Sequence, residues 1–313
     1  MIHFLRLSRP VNLIIILVTM YGLGWFFTDV NPAFGIQSFD FFLLAISTSM
    51  IAAAGNIIND YFDVRADRIN KPDRLIIGKY VKRRVAIVTH WGINVLAFGI
   101  AVYLTWRLNS FWYVFIHLLS INLLWFYSLY FKRRFLIGNV LIAALTALVP
   151  LLVGIYFYQT LDSSTISFAS IDPSFAEVRP SFILWLCFIL AAFAFLLNLS
   201  REIVKDMEDV EGDELIKAKT LPITLGIPKT KLIIGALLII TSVSASLVWF
   251  VFKIPLLTLF PVLISALFTI SALVLLPNAQ DKMRFKTING LIKIAMVAGL
   301  CTPVFWKIMS IYG

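Results

Sequence analysis

Charge, cysteine and histidine are all scarce in this chain. Only 14% of its 313 residues are Asp, Glu, Lys or Arg while 60% are hydrophobic, and the mean hydropathy is +0.90. That composition excludes a soluble globular protein, in which about a quarter of the residues are charged. The two cysteines, Cys187 and Cys301, stand far apart within apolar runs and lack metal-ligand spacing, so they read as packing residues. His3, His90 and His117 have no partner motif and are assigned no chemistry. A small-residue cleavage site is missing too. The basic start MIHFLRLSRP leads into an apolar run that continues through Trp25 and Phe27, which reads as a retained first span and not as a signal peptide.

What the chain has is apolar length. A membrane-spanning helix needs about 20 mainly apolar residues, and nine runs supply them, at about 11–29, 39–62, 84–104, 109–131, 135–157, 181–204, 231–252, 254–275 and 288–311. The expected fold is therefore an all-α integral membrane protein of nine transmembrane helices. With a cytoplasmic N-terminus, 22 of the 27 Lys and Arg fall in inside segments, and only Arg107, Arg179 and Lys253 fall in outside loops. That asymmetry sets the expected orientation in the cell membrane. The net charge of +10 is then topological signal and attraction to anionic membrane lipids; no nucleic-acid partner is implied.

An internal repeat carries the chemistry. NIINDYFDVRAD, Asn56 to Asp67, is matched without gaps 146 residues downstream by EIVKDMEDVEGD, Glu202 to Asp213. Asp60, Asp63 and Asp67 correspond to Asp206, Asp209 and Asp213. On a helix these positions return to one side, so Asn56, Asn59, Asp60, Asp63 and Asp67 share an arc of about 100°, as do Glu202, Lys205, Asp206, Asp209 and Asp213 on theirs. Both copies end even-numbered spans and reach the same cytoplasmic surface. Carboxylates that converge must hold protons or cations. Aspartate oxygens suit Mg²⁺, which takes one or two carboxylates and commonly completes its shell with substrate phosphate. The candidate Mg²⁺ ligands are Asn59, Asp60, Asp63, Asp67, Asp206, Asp209 and Asp213, around a diphosphate; Lys205 lies on the second acidic arc.

At these residues the chain resembles the UbiA superfamily of membrane prenyltransferases. The family's NDxxDxxxD motif is matched by Asn59, Asp60, Asp63 and Asp67, and its DxxxD motif by Asp209 and Asp213. The resemblance extends to RPxN (Arg9, Pro10, Asn12), YSLYFKR (Tyr127 to Arg133) and AKTLP (Ala218 to Pro222). Within the family, AAGNIINDYFDVRADRINKPDR and REIVKDMEDVEGD look most like the geranylgeranylglycerol-phosphate geranylgeranyltransferase branch. The run Arg74 to Lys79 departs from the Pro- and Ser-containing stretch of many relatives, which leaves the acceptor open.

The resemblance implies one UbiA-type transmembrane domain over 1–313, with acidic-motif halves at about 1–134 and 135–313 and cytoplasmic cap loops. It implies Mg²⁺-dependent transfer of a polyprenyl group from its diphosphate to a lipid-like acceptor. Asp60, Asp63, Asp67, Asp206, Asp209, Asp213 and Lys205 would be catalytic, and Asn12, Asn56, Asn59, Arg68, Arg74, Tyr127, Lys132 and Arg133 would bind substrate; Lys71 and Tyr61 are further candidates. The connections 63–84 and 206–230 would form a lid that excludes water. An aromatic acceptor, attacked through carbon, is the alternative within the same chemistry. An ion-coupled transporter is the alternative outside it.

Overall fold

The computed structural model describes residues 2–28, 38–70, 72–161, 179–252 and 259–312. In chain order the helices are α1 (Ile2–Leu7), α2 (Pro10–Phe27), α3 (Phe39–Asn70), α4 (Arg83–Arg107), α5 (Trp112–Leu129), α6 (Ile137–Gln159), α7 (Ser181–Glu208), α8 (Val210–Leu215), α9 (Leu221–Leu225), α10 (Ile227–Phe252), α11 (Leu259–Leu275), α12 (Lys282–Leu300) and α13 (Thr302–Tyr312). Single 3₁₀ turns at Pro72–Arg74 and Phe131–Arg133 follow α3 and α5. Helices are what hydrocarbon demands, because each backbone N–H and C=O must find a partner within its own segment. Polar side chains inside the runs obey the same rule: the hydroxyls of Thr48, Ser49, Ser128 and Thr269 each fold back onto the carbonyl four residues earlier.

Among the described residues eight segments are long and apolar enough to cross a membrane: α2 to α7, α10 up to Val248, and Lys282–Met309, which joins α12 to α13. The chain is a multi-pass, all-α membrane protein. The run expected at 254–275 holds α11, a helix of 17 residues, and residues 253–258 lie outside the described ones.

Internal contacts divide the chain into two compact units. The first comprises residues 1–18, 37–142 and 209–224. Its axis is α3, packed by α4 and α5. Leu124 of α5 packs onto Gly55, since a Cβ there would stand 2.8 Å from a Leu124 methyl; the small residues Ala52 to Gly55 thus seat a helix crossing. His90 of α4 hydrogen-bonds the Ala54 carbonyl at 2.9 Å, and His117 of α5 meets the Ser47 hydroxyl at 2.8 Å. Both histidines staple neighbours to α3. The second unit comprises residues 19–36, 143–208 and 225–313. Here α12 packs against α7 and α11, and α10 against α7. Cys187 is buried against Gly154, whose added Cβ would lie 2.8 Å from the cysteine's own, so the packing role read from the sequence holds.

Two boundaries differ from expectation. First, α3 runs on to Asn70, so residues 63–70 are helical and not the start of a loop. The extra turns still have a face to bury: Ile57 and Val64 pack with Leu7, Ile77, Val81 and Ala86. Second, 202–213 is not one helix. α7 ends at Glu208, Asp209 takes non-helical angles (φ −103°, ψ 8°), and α8 starts afresh. Asp206 therefore does not share a continuous helical arc with Asp209 and Asp213, as the repeat had led us to expect.

Candidate active site

The first motif lies on the last turns of α3. Asn59 donates through Nδ2 to Asp63 Oδ2 at 2.8 Å, one turn on. The same oxygen receives the Lys132 ammonium in an ion pair. Lys132 arrives from the 3₁₀ turn after α5. That turn lies so close to the start of α6 that a Cβ on Gly138 would be 2.9 Å from both the Lys132 Cα and the Phe131 carbonyl oxygen. Between them Leu136 is held at φ 57°, a left-handed conformation that costs a branched residue about 1 kcal/mol or more. The sharp reversal points Lys132 at α3.

A second bolt comes from the turn between α1 and α2. Arg9 adopts φ 54° and donates from Nη2 to Asp60 Oδ1 at 2.6 Å, while Asn56 donates to the Ser8 carbonyl at 3.0 Å. Asn12 closes the turn, its N–H reaching the Arg9 carbonyl at 2.9 Å.

The second motif enters the same unit through α8. Asn70, the last residue of α3, donates to the Asp209 carbonyl and accepts from the Gly212 N–H, each at 3.0 Å. Gly212 is required there, because a Cβ would collide with the Asn70 amide. Beyond α8 the Ala218 N–H donates to the Asp213 carbonyl and the Lys219 N–H to the Arg133 carbonyl, each at 2.9 Å. The AKTLP run is thereby stitched to both the DxxxD motif and the YSLYFKR turn.

Electrostatics join the two motifs. Burial disfavours the Lys132 charge, but Asp63, Tyr127 and Asp213 favour it more, and its pKa stands above the ordinary lysine value. Asp63 and Asp213, one carboxylate from each motif and each only 7% exposed, thus act on a single ammonium. The repulsion anticipated between the acidic rows is met by a lysine.

The other expected residues are distributed as follows. Asp67 is half-buried on α3; Arg68 and Arg133 are exposed, and Tyr127 is buried. Tyr61 lies under the Arg83 guanidinium, 4.5 Å from ring centroid to Cζ. Lys71 and the side chain of Arg74 fall outside the described residues. Asp206 and Lys205 belong to the second unit, where Lys205 pairs with Glu202 at 3.1 Å. Of the connection expected as a lid, Ile77 and Val81 pack beside Ile57 and Val64, about 100° round α3 from the acidic arc. Two partners went unassigned from sequence. Arg9 was visible only as part of RPxN. Asn70 had a signal that could have found it, since it extends the helical arc seven residues beyond Asp63.

The residues fit Mg²⁺. Asn59 Oδ1 is buried and has no hydrogen-bond partner among the described residues, a state that costs about 1–3 kcal/mol, and it sits beside a buried carboxylate. Among the described residues no three acidic, histidine or cysteine side chains form a ready cage. Mg²⁺ takes only one or two carboxylates and fills its shell with water and phosphate oxygens, which is the pattern that Asn59 and Asp63 offer.

Residues 15–297 match the UbiA prenyltransferase family. The chain is similar to digeranylgeranylglyceryl phosphate synthase of Methanothermobacter thermautotrophicus, 29% identical over 295 residues that cover 94% of this chain and 92% of the relative. It is similar also to the enzyme of that name from Thermococcus kodakarensis, 31% identical over 244 residues, covering 78% and 76%. A solved structure concerning digeranylgeranylglyceryl phosphate synthase in membranes shares the fold with TM-score 0.64 and 24% identity, covering 98% of each chain. A UbiA homolog from Archaeoglobus fulgidus bound to GPP and Mg²⁺ shares it with TM-score 0.58 and 18% identity, covering 96% and 99%. With this match running over most of its length, the chain belongs to the UbiA prenyltransferase family.

Proposed function

We propose that this prenyltransferase moves a geranylgeranyl group from geranylgeranyl diphosphate to the free hydroxyl of geranylgeranylglyceryl phosphate. The observation that carries the reading is the Lys132–Asp63 ion pair, with Asp213 of the second motif adding to the field at that lysine. It sets a cation against the first motif within the field of the second, an arrangement that suits a polyanionic substrate. In the reaction the allylic C–O bond breaks and its electron pair leaves with the diphosphate. The acceptor oxygen forms the new C–O bond and a proton is released.

Asn59, Asp63 and Asp67 on α3, with Asp209 and Asp213 around α8, would hold Mg²⁺, and Asp60 belongs to the same proposed set. When bound, Mg²⁺ supplies positive charge to the departing diphosphate. Lys132 hydrogen-bonds the same leaving group, and because its pKa is raised it does so as an ammonium throughout the physiological range. Arg9 fixes Asp60, and Arg68 and Arg133 add positive charge nearby. Tyr127 lines this end, and Asn12 and Asn56 hold the turn beside it. The chain acts as one transmembrane domain, with its N-terminus and site on the cytoplasmic side, where 22 of the 27 basic residues fall.

Family membership sets the transporter aside. An aromatic acceptor would use the same clamp, and the names carried by the relatives favour the phosphoglycerol lipid. The test is transfer by purified protein from geranylgeranyl diphosphate. Mg²⁺-dependent product with geranylgeranylglyceryl phosphate, abolished by EDTA, supports the reading. Faster turnover of an aromatic acid overturns the acceptor assignment.

A further inference from the structure

The first unit carries a basic surface that the diphosphate site leaves unused. It is built on the apolar cluster of Leu7, Ile57, Val64, Ile77, Val81 and Ala86, which packs α1, the 75–81 loop and the start of α4 against α3, about 100° round that helix from the acidic arc. The loop is closed on itself. Gly78 takes φ 88°, the Tyr80 and Val81 N–H groups donate to the Ile76 carbonyl at 2.8 and 3.1 Å, and the Gly78 N–H donates to the Val81 carbonyl at 2.9 Å. The Tyr80 ring stacks on His3 of α1, with centroids 4.2 Å apart and planes within 4°. Loop and helix are therefore held to one another before anything binds, and a partner meets them with little ordering left to do.

Between the buried anchors stand exposed side chains of two kinds. Arg6, Lys79, Lys82, Arg83 and Arg84 are exposed, each within two residues of a member of the cluster. None of the five has an ion-pair partner among the described residues; Lys79 and Arg83 lie instead over the rings of Tyr80 and Tyr61, at 5.2 and 4.5 Å. Neither α1 nor residues 75–86 contain an acid, and the nearest one to the loop in the chain is Asp73. Interleaved with the cations are Leu5, 58% exposed, and Tyr80, 55% exposed. Cations alone suit water, but apolar side chains among them suit the boundary where hydrocarbon meets headgroups. The apolar span of α4 begins at this place, at Arg83.

We infer that α1, the 75–81 loop and the start of α4 form a docking surface for anionic lipid headgroups of the surrounding bilayer. Headgroup phosphates take the cations, and Leu5 and Tyr80 enter the acyl boundary. An acidic polypeptide would match the charge and leave both apolar side chains in water. Docking presses the loop onto α1 and α3, so the charge of the lipid sets how often the loop opens.

The test is amide hydrogen exchange of residues 78–81 in the full-length protein, reconstituted in nanodiscs of phosphatidylcholine with and without phosphatidylglycerol. In wild type, phosphatidylglycerol should slow exchange about tenfold, and salt at about 1 M should remove most of the difference. The combined variant Arg6→Gln, Lys79→Gln, Lys82→Gln and Arg84→Gln keeps the apolar cluster. It should match wild type in phosphatidylcholine and respond less than about twofold to phosphatidylglycerol. Lys229→Gln with Lys286→Gln, exposed cations of the second unit, should keep the full response. No response in wild type, or an equal loss in that control pair, overturns the surface and leaves its cations as topological signal. Equal protection in phosphatidylcholine by inorganic phosphate, glycerol 1-phosphate or polyglutamate overturns lipid as the occupant. Protection by geranylgeranylglyceryl phosphate but not by phosphatidylglycerol overturns it too, and hands the surface to the acceptor.

Discussion

Asp63 and Lys132 have two jobs that mutation can separate. As an ion pair they satisfy each other inside the protein, and in the proposed site they meet the substrate. Removing one partner leaves a buried charge. Water reaches a quarter of the lysine, whose side chain is 26% exposed against 8% for the aspartate, so the penalty is discounted to about 2 kcal/mol. Asp63→Asn and Lys132→Met should each lower the melting temperature in detergent, and the double variant should recover most of that loss. Activity should not recover: both singles and the double are expected to fall at least about 1,000-fold in kcat, the scale of losing a principal charge stabiliser. Activity restored along with stability would reduce the pair to scaffolding. The pH dependence follows from the raised lysine pKa. Because the folded value exceeds the unfolded one, near 10.4, the pair's stabilisation is complete below that pH and is lost as pH rises through the folded pKa. The melting-temperature gap between wild type and Lys132→Met should thus stay flat from about pH 7 to 10 and close above it. The spacing NDxxDxxxD made these carboxylates legible in the sequence. The choice of Lys132 among several nearby cations was not legible, since it depends on the reversal at Leu136 and the bare Cα of Gly138, which no periodicity encodes.

Helix α8 is the element that carries the second motif to the first, and the Asn70 side chain ties its first turn to α3. Asn70 lies 139 residues before Asp209 in the chain and clamps both its carbonyl and the Gly212 amide. The two hydrogen bonds are worth about 2 kcal/mol together, so Asn70→Ala should speed hydrogen exchange at Gly212 by about 30-fold. The concentration of Mg²⁺ giving half-maximal activity should rise about tenfold or more, with α7 exchange unaffected. Gly212→Ala should act the same way by steric collision, and combining it with Asn70→Ala should remove the collision without restoring the hydrogen bonds. Unchanged Gly212 exchange in Asn70→Ala would show that α8 is held by other contacts. This explains where the repeat misled. Its two copies have the same acid spacing, and spacing alone predicts the same helix twice. The second copy breaks at Asp209 because a distant amide offers the freed backbone groups partners, a tertiary effect outside any local window. The apolar spans, by contrast, were readable almost throughout, because the length of hydrocarbon to be crossed is written directly in the composition.

For the whole molecule the decisive quantity is the side of the membrane on which charge lies. Within the first unit α3 has Asp40 at one end, buried and 3.6 Å from Arg107 of α4, and the Asp60–Arg9 and Asp63–Lys132 pairs near the other. The end near Asp40 carries few basic residues in its connections, whereas the opposite end carries the turns at 8–9, 72–84 and 132–134, rich in Arg and Lys. Lys and Arg in short loops resist translocation, and on that ground the proposed orientation keeps the motif-bearing end in the cytoplasm. Cysteine labelling tests this. In a background with Cys187 and Cys301 replaced by alanine, single cysteines are placed at exposed positions, Lys82→Cys, Lys229→Cys and Phe111→Cys. In intact cells a membrane-impermeant maleimide should modify Phe111→Cys alone, and Lys82→Cys and Lys229→Cys should react only after permeabilisation. The reverse pattern would place the acidic motifs outside the cell and remove the cytoplasmic assignment, and labelling of Lys82→Cys and Lys229→Cys from opposite sides would mean that the second set of spans carries a different topology from the one the basic residues dictate.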